Sequence, residues 1–177
     1  RVAGGHAEVI DELCVGCGTC VRMCPQGAKQ VADSKGAVRE LLASGTQVIL
    51  SVAPSFVASF ASAASFAIAA RRLGFSEVFE TAEAAQYVAL RSLEMVDACA
   101  SPAIATSCPV VVNLVERYYH HLLDHLVPVA SPMVTHGRMI KSCRGPEVKV
   151  VFAGPCVAKK DEAVREETSG AIDAVLT

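Results

Sequence analysis

The chain has 177 residues, 52% of them apolar, enough to bury one good core beside a small appended module. A formal net charge of -2 argues against nucleic acid or an anionic membrane surface as partner. Eight cysteines with no signal peptide ahead of them point to a reducing cytoplasm and away from a disulfide-bonded secreted domain.

The first element is the run Cys14-Val-Gly-Cys17-Gly-Thr-Cys20-Val-Arg-Met-Cys24-Pro25. Its C-x2-C-x2-C-x3-C-P spacing lets a short loop wrap thiolates around a [4Fe–4S] cluster, with the fourth cysteine able to serve a neighbouring cluster. A zinc site would instead use two separated pairs. Asp33-Ser-Lys-Gly36 reads as a turn or linker, so residues 1–35 form a ferredoxin-type module and 36–177 a second domain.

Beyond the linker, short apolar runs alternate with helical stretches, the pattern of βα units and a parallel sheet flanked by helices. Gln47 to Val52 is a strand, turned by Ala53-Pro54-Ser55 into a helix with Ser55 as N-cap. Phe56, Phe60, Ala63 and Ala67 share one face of that helix and are expected in the core. Arg71, Arg72 and Gly74 mark its end. Val48 to Ala70 is free of charge and long enough to span a bilayer, but Pro54, five serines and many alanines favour a buried strand and helix.

Further strands are expected at Ser76–Phe79, Ala103–Thr106 and Lys149–Ala153. Helices follow at Thr81–Cys99, Val110–Leu126, Pro132–Lys141 and Asp161–Glu167. Three strands then end in proline-bearing loops, which in parallel sheets gather at the carboxyl edge where ligands bind. That places Cys108 and Cys156 on one edge. The chain lacks an initial methionine and stops within Asp173-Ala-Val-Leu-Thr177, as if in mid-strand, and so reads as a fragment open at both ends.

With the cysteine module upstream, Ala105-Thr-Ser-Cys108-Pro109 and Gly154-Pro-Cys156-Val-Ala-Lys159-Lys-Asp-Glu162 become specific together. The whole chain resembles the iron-only ([FeFe]) hydrogenase family. That family carries a T-S-C-C-P loop, an M-P-C-x-x-K-x-x-E loop and a third loop with two cysteines. Ala130-Ser131-Pro132-Met133 and Val52-Ala-Pro54-Ser55 resemble further steps of its catalytic domain. The resemblance implies an α/β fold corresponding to the N-terminal part of that domain. It also implies Cys108 and Cys156 as ligands of the cubane half of an H-cluster, and Lys159 as a donor to a cyanide of the diiron half.

The departures are equally informative. Ser107 stands where the family has a proton-donating cysteine, and a hydroxyl is a far poorer acid than a thiol. Gly154 replaces a methionine. The acids of the proton path fall near Leu90 to Ser92, with Glu94 the nearest carboxylate, and the third loop is not found in this chain. The pattern resembles the sensory branch, implying hydrogen or redox sensing, or slow hydrogen oxidation and proton reduction. Its partner would be a ferredoxin or a fused signalling domain, with hydrogen as ligand. A hydrogenase-related iron–sulfur assembly or carrier protein and a plain electron-transfer module are the alternatives. Cys99 and Cys143 read as structural thiols, Tyr118 and Tyr119 as partly buried helix residues, and His120, His121, Asp124 and His125 as a solvated helix face. His6 precedes the cysteine loop and could tune it by hydrogen bonding.

Overall fold

The computed structural model describes residues 2–3, 5–60, 62–97 and 101–177. A short antiparallel pair, β1 (Val2–Ala3) and β2 (His6–Ala7), leads into the cysteine loop, within which α1 (Thr19–Met23) forms. His6 lies exposed on β2. The next segment, read as a linker, already opens α2 (Lys35–Ala43): the Lys35 N–H donates to Asp33 Oδ1 at 2.9 Å, so Lys35 and Gly36 belong to a helix.

Aliphatic, β-branched runs then build the sheet. It consists of β3 (Val48–Val52), β4 (Glu77–Glu80), β5 (Lys149–Ala153) and β6 (Ala174–Leu176), all parallel, in the order β4-β3-β5-β6. Every residue of β3 is buried, as a strand covered on both faces requires. Ile49, Val150, Phe152 and Val175 meet Met133, Val134 and Ile140 of α6 (Pro132–Arg144) on one face. Val48, Leu50 and Val151 face the other way, onto Val38 of α2 and Ala70 of α3 (Ala63–Arg72). Burying each such aliphatic side chain stabilises the fold by about 1.5–3 kcal/mol.

Polar groups in this core are paired. Ser51 Oγ lies 2.7 Å from His136 Nδ1 and 2.9 Å from Thr81 Oγ1, and the Thr81 hydroxyl donates to the Val52 carbonyl at 3.0 Å. Burial pushes the His136 imidazole below its ordinary pKa, against the opposing field of Glu83. At the far edge Asp173 accepts from the Val150 N–H at 2.8 Å and pairs with Lys141 at 2.8 Å and Lys149 at 3.1 Å, pinning the approach to β6.

Several expected elements differ. After β3 the chain makes a 3₁₀ turn, Pro54–Ala58, and α3 starts only at Ala63, capped by Ser62 and not Ser55; Ser62 Oγ accepts from the Ser65 N–H at 3.3 Å. The proposed core stripe breaks with it: Phe56 is buried, but Phe60 is 48% exposed and Ala63 lies in solvent. Phe66 takes the inward place and packs at a tilt against the rings of Phe56 and Phe60, with centroids 5.2 and 4.8 Å away. Residues 103–106 form no strand of the sheet. Ile104 makes a single parallel bridge to Leu126, because this segment pairs with the chain after the next helix and not with β3.

The helix expected through Leu126 ends early. α4 (Ala82–Asp97) and α5 (Pro109–Tyr118) are regular, but His120–His125 is a 3₁₀ turn, so His121 and His125 do not share an α-helical face. Tyr118 and Tyr119 are 49% and 45% exposed, and Cys143 lies in the last turn of α6, exposed, not in a loop. α7 (Ala158–Val164) precedes a further 3₁₀ turn, Glu166–Thr168. Cys99 falls outside the described residues. Among the described residues no helix is long and apolar enough to cross a membrane.

Candidate functional site

The sheet order reverses between β3 and β5: β3 leads outward to β4 on one side, β5 to β6 on the other. The carboxyl ends of such a pair diverge into a crevice, the usual ligand position of open α/β sheets. Here the Ala53 N–H donates to the Ala153 carbonyl at 2.8 Å, and just beyond it the chains part. A cavity of about 510 Å³ opens at this point, lined by Ala53, Phe56, Phe60, Phe66, Gly154 and Pro155. Gly154 is confined: a Cβ there would lie 2.8 Å from Ala53 Cβ and 2.8 Å from Phe152 Cε1. The Phe152 ring fills the space that a side chain at 154 would need.

Cys156, half-buried, follows on the same loop, and its carbonyl accepts from the Lys159 N–H at 3.2 Å at the start of α7. Lys159 and Glu162, one turn apart, are both buried and paired at 2.7 Å. The Lys159 ammonium also reaches the Ser107 carbonyl at 3.4 Å. That contact brings the Ser107–Cys108 loop against α7, although residues 103–106 are no sheet strand. Cys108 itself is exposed and forms the N-cap of α5, with Pro109 at the first helical position. Glu94 is exposed on α4 and paired with Arg91 at 2.7 Å.

The N-terminal cysteine loop is shaped by Gly16 and Gly18, whose φ of 74° and 71° are open to glycine without strain. Three of its four sulfurs, those of Cys14, Cys17 and Cys24, have hydrogen-bonding groups close by. Gly16 N–H donates to Cys14 Sγ and Ala28 N–H to Cys24 Sγ, each at 3.4 Å; Cys17 Sγ and Thr19 Oγ1 are 3.3 Å apart. The Thr19 hydroxyl and then its backbone N–H hold the Cys17 thiol below its ordinary pKa, and the N–H groups of Ala28 and Gln26 do the same for Cys24. Such a loop suits thiolates. Cys20, on α1, is exposed. Among the described residues no three His, Cys, Asp or Glu side chains converge closely enough for a single metal ion. A cubane, with a body of iron and sulfide between its ligands, takes its thiolates further apart.

This loop is docked on the α/β layer. A Cβ at Gly16 would lie 3.2 Å from Ala158 Cβ, and one at Gly18 would lie 3.3 Å from Val157 Cγ2, so the loop presses on the residues that follow Cys156. From α5, Arg117 donates to the Asp11 carbonyl, Tyr118 Oη to that of Leu13 at 2.6 Å and Asn113 Nδ2 to that of Val15 at 3.0 Å. Asn113 is only 2% exposed; its Oδ1 accepts from Arg165 Nη2, which also pairs with Glu116 at 2.9 Å.

Residues 46–177 match the family of the iron-only hydrogenase large subunit, C-terminal domain. The chain belongs to the iron-only hydrogenase family. Residues 7–30 of this hydrogenase-family chain match the 4Fe-4S binding domain, and all four cysteines of the loop lie within them. The NADP-reducing hydrogenase subunit HndD of Solidesulfovibrio fructosivorans is 29% identical over 191 residues, 92% of this chain and 33% of its own length. The cytosolic Fe-S cluster assembly factor NAR1 of Vanderwaltozyma polyspora is 32% identical over 74 residues, 42% of this chain and 14% of its own. Among solved structures, an [FeFe]-hydrogenase studied for oxygen inactivation of its H cluster superposes with a TM-score of 0.66 at 22% identity, covering 82% of this chain and 46% of that one. HydA(deltaEFG), solved for stepwise H-cluster assembly, gives a TM-score of 0.61 at 25% identity, covering 79% and 44%. The chain thus spans about a third of the hydrogenase subunit and under half of each solved hydrogenase.

Within the iron-only hydrogenase chain, Asn113, Glu116, Tyr118 and Arg165 are the residues that sequence reasoning missed. Only Asn113 carried a local signal, as a lone polar residue inside the apolar run Val110-Val-Val-Asn113-Leu-Val115.

Proposed function

We propose that this chain is the cluster-bearing part of a hydrogenase-like protein that senses hydrogen or redox state, or turns hydrogen over slowly. The N-terminal module ahead of α2 would hold one [4Fe–4S] cluster through Cys14, Cys17 and Cys20, with Cys24 serving it or a neighbour, and the chain from α2 onward would form the hydrogenase-like domain. In the complete protein Cys108 and Cys156 would hold the cubane half of an H-cluster, a group that supplies reversible heterolytic cleavage of hydrogen when bound. The observation that carries this reading is the docking of the cysteine loop on the turn just after Cys156, Gly16 against Ala158 and Gly18 against Val157. It sets two cysteine-bearing loops side by side, as a short electron path requires.

The remaining chemistry belongs to the chain. Lys159, three residues after Cys156, supplies a buried positive charge against the Ser107–Cys108 loop, oriented by Glu162. Ser107 offers a hydroxyl at the proton-delivering position, and a group so weakly acidic transfers protons slowly, which a sensor tolerates. Phe152 and Ala53 exclude any side chain at 154. The partner would be a ferredoxin-like electron carrier or an attached signalling domain in the cytoplasm, with hydrogen as ligand and no nucleic acid. A second reading, an assembly or carrier protein, is favoured by the likeness to NAR1 and by the crowding at Gly154.

Anaerobic reconstitution with iron and sulfide, followed by iron counting on the unaltered chain, Cys17→Ser and Cys156→Ser, tests the assignment. Loss of one cluster in Cys17→Ser with retained far-UV circular dichroism is expected. Full iron content in that variant would remove Cys17 from the ligand set.

A further inference from the structure

We infer that Arg165 and Asn113 form a hydrogen-bond relay that raises the reduction potential of the N-terminal cluster. The inference rests on the ligand assignment above. Its basis is that the Val15 carbonyl and the Gly16 N–H belong to one peptide group. Asn113 Nδ2 donates to that carbonyl at 3.0 Å, and the N–H on its other side donates to Cys14 Sγ at 3.4 Å. Behind Asn113 stands the Arg165 guanidinium, donating to Asn113 Oδ1. The amide has one possible orientation, since a carbonyl can only accept and a guanidinium can only donate.

Three hydrogen bonds therefore run head to tail from a fixed positive charge to a cluster thiolate. Each polarises the next, the more so in a buried setting, and Asn113 is 2% exposed. A stronger N–H···S bond withdraws charge from the sulfur and stabilises the reduced, more negative cluster, one of the levers that set iron–sulfur potentials. Arg165 lies at the end of α7, the helix that begins just after Cys156 and carries Lys159 and Glu162. The same guanidinium is bound to Glu116 of α5, with Nη1 at 3.2 Å and Nη2 at 2.9 Å from its carboxylate. Asn113 and Arg165 are thus positioning residues. They tie the potential of one cluster to the placement of the helix that follows the second cysteine loop.

The neighbouring contact supplies a control. Tyr118 Oη donates to the Leu13 carbonyl at 2.6 Å, but the N–H of that peptide, on Cys14, goes to the Asp11 carbonyl at 3.2 Å and to no sulfur. Tyr118→Phe weakens docking without touching the relay.

The test is an anaerobic redox titration of the iron- and sulfide-reconstituted chain, read by electron paramagnetic resonance, for the unaltered protein, Asn113→Ala, Arg165→Gln and Tyr118→Phe. Asn113→Ala should lower the midpoint, reducing the one-electron equilibrium constant by up to about tenfold, or about 59 mV. Arg165→Gln, which keeps Asn113 and serves if Asn113→Ala does not fold, should shift it less and in the same direction. Tyr118→Phe should leave it in place. A cluster that forms in these variants with unchanged midpoint in Arg165→Gln, or with Tyr118→Phe shifting as much, overturns the relay alone. Absence of any cluster in the unaltered protein overturns the ligand assignment and the relay with it.

Discussion

Replacing Lys159 by Met, which keeps the aliphatic bulk and removes the charge, isolates the ion pair at the heart of the site. The Lys159 and Glu162 side chains are 11% and 9% exposed and 2.7 Å apart. Breaking a buried pair by removing one partner costs about 3–5 kcal/mol, because the orphaned charge stays desolvated. The residual exposure of Glu162 places this case at the lower end, about 3 kcal/mol, and for a chain of this size that lowers Tm by roughly 6–12 °C. The double variant Lys159→Met/Glu162→Leu removes the orphan and should recover most of the loss, since apolar replacement of a whole buried pair is often neutral. Urea unfolding followed by circular dichroism measures both. The Lys159→Met chain should also show faster amide exchange at Ser107 and Cys108, whose loop loses the 3.4 Å tether from Nζ to the Ser107 carbonyl. A single-variant loss under about 1 kcal/mol, or a double variant no better than the single, would refute the argument that burial makes this pair costly to break.

Gly154→Ala should cost about 1–3 kcal/mol by overpacking, since its Cβ would sit 2.8 Å from Ala53 Cβ and from the Phe152 ring. Phe152→Leu in the same chain should relieve part of that strain, and a neutral Gly154→Ala in urea unfolding would show the ring moves freely. For Asp173, burial raises the carboxyl pKa, but the bonds from Lys141, Val150 and Lys149 outweigh it and leave the net value lowered. The unfolded carboxyl, near pH 3.9, takes protons first, so this stabilisation is complete above about pH 5 and lost as pH falls through the lower folded value. Asp173→Asn should therefore be less stable at pH 7 and show a flatter acid limb; an unchanged limb between about pH 5 and 2 would exclude the assignment.

The elements legible in the sequence were those fixed locally. Lys149–Ala153 is β-branched, ends at Gly-Pro and is found as read; Arg71, Arg72 and a left-handed Gly74 close α3 as expected. What could not be read depends on partners distant in the chain. Residues 103–106 have strand composition, but nothing local says that Ile104 bridges Leu126 instead of joining the sheet. Phe60 looks like core by spacing, yet the helix starts after it and leaves it half in solvent. At the site, the N-terminal cysteine loop announces itself by spacing, and the Cys156 loop only by its resemblance to the family motif. The residues joining them, Asn113 and Arg165, lie 52 positions apart and carry no shared pattern.

The central pairing of β3 with β5 has a temporal side. β5 begins nearly a hundred residues after β3 ends, so the two inner strands cannot meet until most of the chain has left the ribosome. At about 5–20 residues per second that is a delay of roughly 5–20 s. Throughout it, one edge of β3, a strand buried along its whole length in the folded protein, has no strand beside it, an open template for pairing with other chains. Synthesis speed and the supply of chaperones over that interval should therefore govern how much of this protein is recovered folded.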